Sequence, residues 1–183
     1  MKNLIKKLIE LIRYPQQTIP VLAAQGVMKE AMIVVSTSAI VSAVLAGFVF
    51  KDMPTSVAAV SMVVMVILPF VVWGAAACIA YFFARLFGGQ GSMRQLLIVM
   101  GYISVFDIIG LILGSVAVSI SLPDFLPMVC RVWALCLYVL AVKEVLHLPF
   151  KKAVAAILVP VFLLIGLFVF LFVAIMKAQF LGA

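Results

Sequence analysis

Charge is scarce in this chain: Asp, Glu, Lys and Arg make up only 10% of its 183 residues, against about a quarter in soluble domains. That shortage excludes a water-soluble globular domain. Histidine occurs once, at His147, which excludes a multi-histidine metal site and weakens any nucleophile–histidine relay. Cys78, Cys130 and Cys136 sit in apolar stretches with neither a CxxC pair nor a nearby histidine, so neither a zinc site nor a disulfide framework is supported, and all three are expected to pack. The loop Gly88, Gly89, Gln90, Gly91, Ser92 has no Gly-Lys-Ser/Thr and is therefore a tight turn, not a phosphate cradle. Ser36, Ser38, Ser61 and Ser104 have no histidine–acid partner at depth, which argues against an intramembrane serine protease. No cofactor, metal or catalytic set is implied.

Apolar residues are abundant instead, at 68% of the chain. The expected fold is all-α: a polytopic membrane bundle of five helices with an N-terminal amphipathic helix on the interface. At about 20 residues per crossing, the spans fall near 31–50, 57–84, 96–119, 128–142 and 153–176. They form a domain over 29–183, with an interfacial segment over 1–28. Lys51 and Asp52 close the first span, and Pro123 and Asp124 mark the turn before the fourth. Pro69 and Pro160 are expected to bend the second and fifth spans, because proline removes an N–H and crowds the carbonyl four residues back.

Within 1–28, Leu4, Ile5, Leu8, Ile9, Leu11 and Ile12 share an arc of roughly 160° at helical spacing, opposite Lys6, Lys7, Glu10 and Arg13. Such a helix lies among anionic headgroups with its apolar face in the acyl boundary; docking on its own bundle is the bland alternative. Charged positions at 6, 7, 10 and 13 also interrupt any signal-peptide core, so this segment is expected to be retained. Of the thirteen Lys and Arg, ten fall on the side of the first residues and three, Lys51, Arg131 and Lys177, on the other. The net +7 is therefore topogenic charge, and it gives no argument for nucleic acid. By the positive-inside rule the N-terminus is cytoplasmic and the C-terminus lies outside.

Asp107 is the one acidic residue well inside an expected span, where a lone carboxylate costs several kcal/mol. It shares a helix face with Ser104, Gly110, Gly114 and Ser121, a small and polar stripe facing other helices. The functional reading is an ion or proton site between helices; the structural one, which is preferred, is a clamp to a neighbouring helix. Arg131 is the candidate partner, with a depth gap of about 10 Å counted along ideal helices, and snorkelling to the outer headgroups is its alternative. Gly110 and Gly114 make a GxxxG expected to let another helix of this chain approach closely.

The stretch from Phe83 to Leu113 places Gly88, Gly89, Gly91 and Ser92 after one span and the pair Gly101, Tyr102 in the next. In this it resembles the central signature of the Yip1-domain membrane proteins. Similar too are Pro15 before a surface helix, Trp133 in the fourth span, and a basic loop with His147, Lys151 and Lys152 opening the fifth. The resemblance implies a five-span bundle with a cytosolic N-terminus, and for eukaryotic members a link to vesicle trafficking, Rab-type GTPases and membrane shaping. This chain lacks their acidic or Pro-rich extension and their Asp-Leu-x-Gly-Pro motif. It looks like the short prokaryotic branch in a cytoplasmic membrane, for which a GTPase partner is not expected. The expected function is a non-enzymatic scaffold, adaptor or membrane organiser whose partners are the bilayer, anionic lipids and other membrane proteins or copies of itself. The alternative is a small oligomeric transporter or channel subunit using Asp107.

Overall fold

The computed structural model describes residues 2–50, 53–120 and 125–181. Lys51, Asp52, Ser121 and the turn at Pro123 and Asp124 lie outside the described residues. Every element is a helix: α1 (Lys2–Arg13), α2 (Pro15–Gln25), α3 (Met28–Val49), α4 (Thr55–Leu86), α5 (Met93–Ile103), α6 (Val105–Ile120), α7 (Phe125–Val145) and α8 (Phe150–Leu181).

Among the described residues, four stretches are long and apolar enough to cross a bilayer: Met28–Phe48, Thr55–Leu86, Met93–Ser115 and Phe125–Val145. The fifth expected span falls on α8, a 32-residue helix. Consecutive long helices run antiparallel, so the connections at 26–27, 87–92 and 146–149 share one side, which also carries α1, α2 and most of the basic residues. We refer to it as the basic side.

Proline and glycine set the boundaries. Tyr14 sits at φ −137°, ψ 61°, outside the helical region that a following proline disfavours, and Pro15 then opens α2 where its missing N–H is not needed. At the end of α4, Gly88 takes φ +90°, its N–H bonds the Arg85 carbonyl at 3.1 Å, and the Gly89 N–H bonds Ala84 at 2.9 Å. This is a Schellman stop. The end of α7 repeats it, with the Leu148 N–H on the Lys143 carbonyl at 3.0 Å and His147 at φ +53°. The lone histidine thus holds a position glycine usually takes.

The third expected span is continuous in the sequence reading but breaks in the structure between α5 and α6. The Ser104 hydroxyl donates to the Gly101 carbonyl at 2.7 Å, the acceptor an unbroken helix would offer to the Val105 N–H. A serine competing locally with the backbone is enough to interrupt a helix where tertiary packing holds both halves.

The core sits toward the basic side. Leu96, Val99, Tyr102 and Ile103 of α5, with Leu137 and Val142 of α7, are almost wholly buried, and Ile19 and Leu22 of α2 join them. Inside a bilayer there is little hydrophobic drive between helices, so association rests on close packing of small residues. Ala77, Ala80 and Ala84 of α4, and Ala153 and Ala156 of α8, are buried at the i, i+3, i+7 spacing of one helix face. Cys78 and Cys136, expected to pack, are exposed on the flanks, and Cys130 is half-buried.

Candidate functional site

Two polar constellations stand out, one at the basic end of the bundle and one at membrane depth.

At the basic end, Glu30 lies in the first turn of α3, where the helix dipole favours a carboxylate. Its Oε2 accepts from Lys7 Nζ of α1 at 2.6 Å and from the Tyr102 hydroxyl of α5 in a short hydrogen bond. Tyr102 is fully buried, and Lys7 Nζ also lies 5.9 Å from its ring centroid, within cation–π range. Lys7 and Glu30 are each only about a quarter exposed, so this pair is better shielded from water than an ordinary surface ion pair.

Gly101 explains how Tyr102 reaches Glu30. A Cβ built on Gly101 would stand 2.7 Å from the Ala31 Cβ and 3.3 Å from its Cα, so only glycine lets α5 cross α3 this closely. The Gly-Tyr pair therefore acts as a unit: the glycine sets the crossing and the tyrosine caps the carboxylate beside it.

The same ion pair fixes α1. Leu11 is fully buried, and Leu4 and Leu8 pack against the core. Ile5, Ile9 and Ile12 are 56%, 48% and 44% exposed. At helical spacing the leucines occupy one edge of the apolar arc and the isoleucines the adjacent edge. Docking and exposure, alternatives in the sequence reading, thus divide one face between them.

The glycine loop has a structural partner. The Gln90 N–H donates to the Leu146 carbonyl at 3.0 Å, and a Cβ on Gly91 would collide with the Val145 carbonyl oxygen. Arg85 Nη1 reaches the Gly89 carbonyl and Lys152 Nζ the Phe87 carbonyl, both at 3.1 Å. Gly88, Gly89 and Gly91 thus let two helix stops nest against each other.

At membrane depth, a cavity of about 400 Å³ opens between α3, α4, α6 and α7. Ser38 and Ser42 of α3 line it, about 12 and 18 Å further along the helix than Glu30. Asp107, Arg131 and Tyr138 line it too, as do Ser104 and, one turn nearer the basic side, Met100 of α5. Pro69 contributes to the α4 wall. Because α6 starts afresh after Ser104, Asp107 falls in its first turn, where its own N–H bonds the Ser104 carbonyl at 3.1 Å. The Tyr138 hydroxyl donates to Asp107 Oδ2 at 3.3 Å.

Gly110 faces the Cys130 Cβ and Gly114 the Pro127 Cγ, at 3.8 and 3.9 Å from the built Cβ positions. These are ordinary contacts that leave room for a methyl, so this GxxxG is not where helices come closest. The two contacts do fix the antiparallel register of α6 and α7. Arg131 lies level with residues 109–110, about 4 Å along the axis from Asp107, closer than the sequence-based depth count. No salt bridge within 4.0 Å joins the two; the salt bridges among the described residues are Lys6–Glu10, Lys7–Glu30 and Lys143–Glu144. Pro160 is buried in α8, on the face of Ala153 and Ala156, and Trp133 is exposed on the flank of α7.

Glu30 and Tyr138 were not singled out from sequence, Glu30 because a charge beside Lys29 looks like a flank. A carboxylate one residue before an apolar run, with a lysine on the preceding amphipathic helix, was the available signal.

Apolar helices of membrane-spanning length, packed by small residues around paired charges, define an integral multi-pass membrane protein in contact with the bilayer. A Yip1 domain family model matches residues 9–173, almost the whole chain, and the chain belongs to the Yip1 family. No curated protein and no solved structure matches it.

Proposed function

We propose that this protein is a non-enzymatic membrane organiser of a prokaryotic cytoplasmic membrane, N-terminus inside and C-terminus outside, which acts on the cytoplasmic leaflet through α1. The carrying observation is the divided apolar face of that helix, its leucine edge on the bundle and Ile5, Ile9 and Ile12 left bare. An isoleucine edge beside a cationic face is what inserts at the headgroup–acyl boundary, and Lys6 and Arg13 favour anionic lipid there. Being already docked, the helix inserts at a preset angle and loses little freedom in doing so. A scaffold role toward other membrane proteins fits the same architecture, and copurification from native membranes with mass spectrometry would identify them.

The test is reconstitution into vesicles containing anionic lipid. The intact protein is expected to reduce vesicle diameter or draw tubules, and a protein with Ile5, Ile9 and Ile12 replaced by serine to leave vesicles as they are without protein. Equal vesicle shapes for the two proteins would sink the proposal. The orientation is tested by a tag behind Ala183, expected to be reachable only from outside the cell.

The cavity favours a second reading, a small oligomeric transporter or channel subunit using Asp107. Against a continuous pathway stands the dense packing of Val99, Tyr102 and Ile103 of α5 toward the basic side, all three fully buried. Flux through liposomes that disappears in Asp107→Asn would establish transport, and no flux at any pH would remove it.

A further inference from the structure

The cavity holds two opposite charges that do not meet. Asp107 and Arg131 both face it, the register of α6 and α7 sets them about 4 Å apart along the axis, and no salt bridge closes the gap. No hydrogen bond engages the Arg131 guanidinium among the described residues. Leaving both charges unneutralised at this depth is costly, yet simple rotamer pairing has not removed the cost. An acid and a base separated in one cavity are complementary to a zwitterion. The hydroxyls of Ser38, Ser42 and Tyr138 add donors and acceptors around it, and the remaining wall, with Leu68, Val72 and Leu111, is apolar.

We propose that this cavity is a binding site for the headgroup of an aminophospholipid, with the lipid phosphate on Arg131 and the primary ammonium on Asp107, between the α4 and α7 flanks of the bundle. Guanidinium is the natural partner for phosphate, offering two parallel donors. A primary ammonium can donate hydrogen bonds to the Asp107 carboxylate, and to the Ser38 and Ser42 hydroxyls; a trimethylammonium cannot. Leu68 and Val72 of the cavity wall are 43% and 56% exposed, so the wall is open at α4 and acyl chains leaving the headgroup can pass out along it. A lipid is favoured over a soluble zwitterion because the cavity's α4 wall, with Leu68 and Val72, is open at membrane depth, where acyl chains and not water are the neighbours. The site is independent of α1 and of the leaflet-wedging role proposed for it.

The experiment uses the full chain in detergent and counts bound lipid by native mass spectrometry. Phosphatidylethanolamine, phosphatidylcholine and phosphatidylglycerol with identical acyl chains are offered in competition. The ethanolamine lipid is expected to be retained about 10-fold over the other two, the scale of one charge-assisted hydrogen bond gained or lost. Asp107→Asn is expected to erase the preference over phosphatidylcholine. Arg131→Gln is expected to weaken both zwitterionic lipids by about 10-fold. Equal retention of the three lipids, or a preference that survives Asp107→Asn, overturns the proposal. Free phosphoethanolamine that displaces the lipid at equal concentration also overturns it, in favour of a soluble ligand. Should Arg131→Gln fail to give a monodisperse protein, the wild-type ranking together with Asp107→Asn decides the matter.

Discussion

The two ends of the bundle solve the same problem, polar groups among apolar helices, in opposite ways. At the basic end, Glu30 has Lys7 and Tyr102 on one oxygen, and a glycine presses α5 onto α3 to bring them there. Toward the other end, the Asp107 carboxylate has one long hydrogen bond, Arg131 makes no salt bridge among the described residues, and the glycines of α6 stand at ordinary contact distance. The difference teaches that small residues by themselves do not make a tight seam. Gly101 is required by a clash, whereas Gly110 and Gly114 leave a helix face loosely filled beside a cavity. One end is built to hold and the other to admit.

The largest effect is expected at the crossing. Gly101→Val should cost about 3 kcal/mol or prevent folding, since overpacking here meets backbone as well as a side chain. Ala31→Gly in the same chain should recover part of the loss, because the Ala31 Cβ is the nearest obstacle; unfolding of the two proteins in detergent measures both. A smaller effect is expected at the ion pair. A double-mutant cycle of Lys7→Met and Glu30→Gln should give a coupling of about 1–2 kcal/mol, above the range of exposed pairs. A coupling near zero would reduce the Lys7 contact to a surface accident. The smallest effect separates the two glycine sites most sharply. Gly110→Ala should be neutral or stabilise by up to about 1 kcal/mol, the gain in helix propensity, because nothing lies within 3.8 Å of its built Cβ. Destabilisation there by more than 1 kcal/mol would mean that α6 and α7 pack as tightly as α3 and α5.

Much of this architecture was legible because a bilayer imposes simple rules. Apolar runs bounded by charge mark the helices, and the helical repeat of leucine and isoleucine marks α1. What stayed hidden depended on residues far apart in the chain. Glu30 is 23 residues from Lys7 and 72 from Tyr102, and no local pattern announces that meeting. Tyr138 was an ordinary aromatic until Asp107 came within reach of its hydroxyl. The break at Ser104 left no proline or glycine-pair signature, since one serine hydroxyl turning onto Gly101 was sufficient. Asp107 and Arg131 were noticed because charge at depth is rare, but their separation was misjudged. It depends on the register of α6 against α7, which only the contacts at Gly110 and Gly114 reveal.

The bond from Gln90 to Leu146 joins two reversals of the chain that lie far apart in sequence. Four helix ends, those of α4, α5, α7 and α8, consequently meet in a single plate on the basic side, reinforced by Lys152 on Phe87. Neither hairpin can splay there without prising the other open. Any motion that widens the bundle must therefore be a flexing about this plate, with the greatest travel at the far ends of the helices.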